Sequence, residues 1–432
     1  MPTITLEPLQ WQDEPARVTV CQNGSQPEVY FQIISPKPVE AMCCNRPVEE
    51  LPRILPILSP AHHLAGAMAL DRLFNVDPPQ LAQNMRAALL QAQFYTAHLR
   101  RLFFLLTNWN DPFSAFHTTD GSVHQPIKPP HRLEEMMHHL ALAQEAEAIL
   151  GGRHDHPLTA VAGGGSRFLK DGLYERLTQI TDACLEFACK LAVTLRREIL
   201  TVEEGESDLF NIGIPPLAAM SLKNGNTVEL TDWKGKSIDR FAAEEIAEKI
   251  GQQKEAWTYK PFAYMKNKGW QHLERSEGLF FVGPLARFNS NQTAATPLAE
   301  EERQRLINSV GIPPQYNLRA AVWVLLIELI QAAEKLQRLS KKEKLTGPSI
   351  RTVPTQMNDR TWSVLEAPQG LIWHSYQVDA VGIVQKVNLL DATVANNALK
   401  CLLAKQLVAQ GLAQRQGLEV FKERVAVGLL PF

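Results

Sequence analysis

The chain has 432 residues, 45% of them apolar and 21% charged, with a formal net charge of −2. That length leaves room for a large core and even for two subdomains. The charge balance supplies no field strong enough to argue for nucleic acid or a membrane surface as partner.

In chain order, MPTITLEPLQWQDEPARV opens without a basic n-region or an apolar h-region, so no signal peptide is expected. ITLEPL, ARVTVCQ and EVYFQII are short β-rich runs with a turn signal at Gln22-Asn23-Gly24. Helical periodicity follows Ser59-Pro60 and again Pro78-Pro79, the latter through LAQNMRAALLQAQFYTAHLRRLFFLL. RLEEMMHHLALAQEAEAIL predicts a helix ending at Gly151-Gly152, and GGRHDHPLTAVAGGGSR at 151–167 a loop rich in glycine and histidine. Helix returns at 167–200, and 206–240 turns polar and strand-like, as a surface insertion would. Helices are expected around 241–255, 299–308 and 317–342. The apolar run at 320–333 is too short to span a bilayer and contains Glu328, so it reads as a buried helix. LIWHSYQV and IVQKVNLL suggest a hairpin, and a last helix is expected over 391–414.

The expected fold class is mainly α with minor β, an α+β arrangement of long central helices packed as a bundle. One domain is expected over 1–432: N-terminal strands in 1–35, a helical core in 60–200, the polar insertion at 206–240, and further helical core in 241–432 with the hairpin at 366–390. Six cysteines in so long a chain do not make a disulfide framework, and the cytoplasm is the expected location.

Several clusters invite chemistry that ordinary structure also explains. Cys184 and Cys189 lie five apart on a predicted helix and read, like Cys21 and Cys401, as small buried hydrophobes. His154, Asp155 and His156 resemble a metal cluster in spacing, but imidazoles in a Gly-rich loop commonly satisfy backbone groups. Gly163 to Gly165 lack the spacing of a phosphate loop.

RPVEELPR and HHLAGAMALD, then GGRHDHPLTAVAGGGSR, WTYKPFAYMKNKGW with VGPLARFN, and EAPQGLIWHSYQVDAVGIVQKVNLLDATVANN occur in that order along the chain. Together with LEPLQWQDEPARVTV they resemble the large subunit of [NiFe]-hydrogenases, closest to the cytoplasmic branches of the family. The resemblance runs end to end, and its departures are informative. Between RPVEE and the paired histidines the family carries a C-G-x-C motif, where this chain has only LPIL between Arg53-Ile54 and Ser59. The second pair, in D-P-C-x-x-C, would follow the last helix, and the sequence reaches GLEVFKERVAVGLLPF about where that motif would begin. All four metal thiolates are therefore expected to be missing, and a four-thiolate site cannot form without them.

The resemblance also implies roles for single residues. Gln369 stands where the family has an arginine suspended over the metals, and a neutral amide cannot replace that fixed cation. Asp13 stands at the family's proton-gate glutamate, one methylene shorter. Glu40 matches the magnesium-binding glutamate, whose C-terminal histidine partner has no counterpart here. His98 keeps one of two family histidines and Arg101 replaces the other. Asp13, Glu40, His62, His63, His98 and Gln369 are thus the residues expected around the vacated cavity. Cys43 and Cys44 are the remaining candidates for a soft metal ligand.

The function this implies is that of a non-hydrogen-activating component of a soluble redox complex, beside an iron–sulfur small subunit with further redox subunits. No nickel–iron centre and no cofactor of its own are expected, with iron–sulfur clusters on the partner. Two alternatives remain open. One is a scaffold or chaperone in hydrogenase metallocentre maturation, and the other a cavity subunit binding a quinone-like or other redox ligand.

Overall fold

The computed structural model describes residues 3–9, 14–23, 26–109, 131–197, 212–291, 293–342, 345–413, 425–426 and 428–432. Strands β1 (Thr3–Leu9), β2 (Ala16–Asn23) and β3 (Gln26–Ile33) form an antiparallel sheet in sequence order. The alternation in β2 and β3 sets its buried face. Ala16, Val18 and Val20 lie opposite Ile33, Phe31 and Val29, and all six are buried.

The body is a helix bundle. After the short helix α1 (Val39–Cys43) come α2 (Ala61–Leu73), α3 (Gln80–Trp109), α4 (His131–Gly151) and α5 (Asp171–Leu195). The later helices are α6 (Pro284–Ser290), α7 (Pro297–Val310), α8 (Leu318–Lys342) and α9 (Asn397–Ala413). Helices α3, α4, α5 and α8 pack against one another, and residues 320 to 327 of α8 are buried on every side. Such a helix belongs at the centre of a core. No helix among the described residues is long and apolar enough to cross a membrane.

Two further sheets complete the fold. β4 (Ala218–Lys223), β5 (Thr227–Thr231) and β6 (Ser237–Ala242) form a meander whose β4 edge pairs in parallel with β7 (Phe280–Phe281). β8 (Arg360–Glu366), β9 (Leu371–Val378) and β10 (Val384–Leu390) form the C-terminal antiparallel sheet. Helix α2 lies on that sheet, tied by Thr361 Oγ1 donating to the Ala69 carbonyl and Ser363 Oγ to that of Ala65, both at 2.7 Å.

The α+β class expected from sequence is the one observed. Two local expectations differ. The helix expected around 241–255 is a single α turn, Ile246–Lys249, followed by a strand, Ile250–Gln253, paired with Phe262–Met265. Gly251 sits under the Tyr264 ring, where an added Cβ would meet Tyr264 Cζ at 2.5 Å, so tertiary pairing overrides a helical composition there. The insertion is also less superficial than expected, because Met220, Val228, Leu230 and Phe241 are buried with Trp373 and Leu390 of the C-terminal sheet.

Candidate functional site

The functional geometry is organised around the turn from Glu366 to Gly370. Ala367 N–H donates to the Gly370 carbonyl at 3.0 Å and Gly370 N–H to that of Ala367 at 3.1 Å. Gly283, with φ of +106°, approaches so closely that a Cβ there would lie 2.5 Å from the Gln369 carbonyl oxygen. Beneath the turn, Arg287 on α6 forms a fork with Glu328 at 2.7 Å to each oxygen and reaches Glu366 at 2.8 Å. It also donates to the carbonyls of Ala367 and Pro368 at 2.9 and 3.0 Å. Burial favours the neutral form of Glu328, but the Arg287 charge outweighs it and holds the carboxyl down at about 2. His98, fully buried, places Nε2 2.9 Å from Glu328, so it supports this cluster from below rather than facing open space.

Two recesses flank Gln369, and both are lined by Ser59 as well. The first, of about 290 Å³, is walled by Leu58, Ile372 and Ala392 and carries His62, Asp391 and Thr393. His62, 2% exposed, has Nδ1 2.9 Å from His374 Nε2, and His374 Nδ1 is 2.7 Å from Tyr376 Oη. Desolvation pushes His62 down to about 4 and His374 well below its usual value, so both imidazoles are neutral near pH 7. Asp391 Oδ1 caps the following turn, accepting from Thr393 N–H at 3.0 Å, Val394 N–H at 3.1 Å and Thr393 Oγ1 at 2.7 Å. Its Oδ2 lies 4.0 Å from His62 Nε2. Burial would raise the Asp391 carboxyl, yet Lys260, His62 and the capping bonds together lower it. Lys260 in turn bonds Thr393 Oγ1 at 3.1 Å and the buried Glu14 at 2.8 Å.

The second recess, of about 360 Å³, lies between α3, α4 and the 151–157 loop and is lined by Gln93, Thr96, Arg100, Glu147 and Asp155. Glu147 is 2% exposed, and burial pushes its carboxyl up to about 8 against the lowering influence of Thr96 and Arg100. Both amide atoms of the buried Gln93 lack a protein partner among the described residues.

The structure thus brings His62 and Gln369 together with Asp391, Lys260 and Glu147, none of which the sequence reading singled out. It separates the others. His63 is a structural staple, with Nδ1 2.7 Å from the Pro52 carbonyl and Nε2 accepting from Ala160 N–H at 2.9 Å. Glu40 Oε1 accepts from Leu389 N–H at 2.8 Å, tying α1 to β10. Asp13 lies outside the described residues. Cys43 is fully buried and its thiol is pushed up to about 12 by desolvation, whereas Cys44 is half-exposed beside the Glu40 carbonyl. His156 is occupied by the Arg53 carbonyl at 2.7 Å, and His154 pairs with Asp155 at 2.9 Å.

No protein-family model matches the chain. Relatives are nonetheless found along its length. The vhu-type large component of an F420-non-reducing hydrogenase from Methanocaldococcus jannaschii is 28% identical over 413 residues, 92% of this chain and 96% of its own. Its counterpart in the F420-non-reducing hydrogenase of Methanothermobacter thermautotrophicus is 26% identical over 441 residues, 97% of this chain and 90% of its own. The beta subunit of the NAD-reducing hydrogenase HoxS from Cupriavidus necator is 24% identical over 377 residues, 80% of this chain and 74% of its own. Among solved structures, an NAD+-reducing [NiFe]-hydrogenase chain superposes with a TM-score of 0.83 at 23% identity, over 100% of this chain and 97% of that one. The fold is therefore that of a hydrogenase subunit, with a helix bundle and small flanking sheets. The chain belongs to the [NiFe]-hydrogenase large-subunit family.

The family implies a nickel–iron group, and the residues of the His62 recess can be tested against it. None of the six cysteines lines either recess. The donor set beside Gln369 is one imidazole, one carboxylate, a hydroxyl and an amide, which does not suit a group that needs soft thiolates. Among the described residues no three His, Cys, Asp or Glu side chains gather as a metal site.

Proposed function

We propose that this chain is a hydrogenase-type large subunit that carries no nickel–iron centre. It serves as the non-hydrogen-activating subunit of a soluble cytoplasmic redox complex with an iron–sulfur small subunit. The observation that carries the reading is the thiol-free recess beside Gln369, where a neutral amide stands above His62 and Asp391. The framework around it is nevertheless kept in order: Arg287 holds the turn by five hydrogen bonds and His63 pins the connector. A body preserved around a recess without soft ligands suits docking of a partner and enclosure of another redox ligand. The maturation-scaffold alternative needs an accessible soft ligand, and the burial of Cys43 leaves only Cys44 for that role.

The test is elemental analysis of the complex purified from its native host, with hydrogen uptake assayed on the same sample. Iron and sulfide on a smaller partner, without nickel and without hydrogen uptake, is the expected result. Stoichiometric nickel refutes the reading, and iron on the isolated chain replaces it with the scaffold.

A further inference from the structure

Tyr376 is fully buried, and among the described residues its hydroxyl has no hydrogen-bond partner other than His374 Nδ1. A buried phenol that accepted from Nδ1–H would leave its own proton unsatisfied, a costly arrangement. Tyr376 therefore donates to His374 Nδ1. That fixes the His374 proton on Nε2, from which it is donated to His62 Nδ1. His62 then carries its single proton on Nε2, directed at the recess. Across the opening stands Asp391 Oδ2, which has no hydrogen-bond partner among the described residues, while Oδ1 is occupied by the cap.

The recess thus presents one N–H donor and one carboxylate acceptor, 4.0 Å apart. That is too long for a direct hydrogen bond, but it fits one bridging atom that both accepts and donates. An oxygen about 2.8 Å from each group subtends an angle of roughly 90°, within the range a hydroxyl tolerates. A metal cation is disfavoured, because the Nε2 lone pair is taken and Lys260 adds positive charge nearby. An anion is repelled by ionised Asp391. Leu58, Ile372 and Ala392 supply apolar walls.

From this geometry we infer that the recess binds a neutral, hydroxyl-bearing small molecule with an apolar body, its hydroxyl bridging His62 Nε2 and Asp391 Oδ2. The inference rests on the proposal that no nickel–iron group occupies the recess, so nickel is measured on the same preparation.

Phenol and anisole are suitable probes, because the methyl ether can accept from His62 but cannot donate to Asp391. The chain in its purified complex is expected to bind phenol at least about tenfold more tightly than anisole, the discrimination typical of a hydrogen bond to a charged group. Asp391→Asn keeps the capping oxygen but turns the inward acceptor into a donor, and should bring the phenol-to-anisole ratio down to about one. Nitrogen-15 spectra of labelled histidine in the unsubstituted protein give a readout independent of that variant's folding. Both His62 and His374 are expected as Nε2–H tautomers. A nickel-free protein that binds neither probe, or does not discriminate between them, overturns the inference while leaving the proposed function standing. So does a His62 proton found on Nδ1. Stoichiometric nickel overturns both. Preferred phenol binding that survives Asp391→Asn places the hydroxyl elsewhere and overturns the assignment.

Discussion

Replacing Arg287 by methionine would remove the one cation shared by two buried carboxylates, Glu328 and Glu366, and would leave the Ala367 and Pro368 carbonyls without that donor. The depression of Glu328 from 4.5 to about 2 corresponds to roughly 3 kcal/mol at 1.36 kcal/mol per pH unit. Breaking a buried pair by deleting one partner costs about 3–5 kcal/mol, in agreement. With an unfolding entropy of about 2.1 cal/mol/K per residue, a chain of 432 residues loses roughly 1 °C per kcal/mol, so Tm should fall by about 3–6 °C near neutral pH. The sign with pH is the sharper test. In the unsubstituted chain the Glu328 pKa is depressed, so its contribution is present above 4.5 and is lost as pH falls toward 2. In the Met variant burial acts on Glu328 unopposed and raises its pKa, so the variant loses stability as pH climbs above 4.5. Scanning calorimetry at pH 5.5 and 8 should therefore show a deficit that is larger at pH 8. Equal deficits at the two pH values, or a larger one at pH 5.5, would refute the electrostatic account.

Glu147, raised to about 8, makes the fold lose stability as pH rises from 4.5 through 8; Glu147→Gln should flatten that decline in thermal scans, and an unchanged slope would count against it. Alkylation of the native protein followed by peptide mass spectrometry should modify Cys21, Cys44 and Cys189 well before Cys43, Cys184 and Cys401, which are buried. Gly283→Ala forces a Cβ against the Gln369 carbonyl at positive φ and should cost about 2 kcal/mol or more. Gly172→Ala, in the first turn of α5 with open space around it, should raise stability by about 0.5–1 kcal/mol; paired Tm measurements check both.

The bundle was legible because α3, α5 and α8 carry sustained helical periodicity, and the first sheet because β2 and β3 alternate cleanly. Strand β8 was missed, since RTWSVLE follows a polar stretch and forms only by pairing with β9, a relation no local pattern encodes. At the site, adjacent His62 and His63 could not be told apart in sequence. One helical step turns them about 100° apart, which gives one to the recess and the other to the connector. Glu147 carried a signal that went unread, because it falls in the buried phase of α4 with Met136, Ala143 and Leu150. Asp391 reads simply as a helix cap, and it is one; only the fold reveals that its second oxygen looks into the recess.

The connector from Arg46 to Pro60 carries Pro47, Pro52, Pro56 and Pro60 and is folded into short helical turns. It is laced to its surroundings by Val48 N–H on the Gly382 carbonyl, and by His63 and His156 on the carbonyls of Pro52 and Arg53. Each proline narrows the unfolded ensemble, by about 0.4–1 kcal/mol where its backbone angle suits the fold. Much of the segment's order is thus prepaid by the covalent chain rather than by anything seated in the recess. Its amides should exchange slowly with solvent deuterium whether or not a ligand is bound, so the wall of the recess is a fixed mould and not a flap.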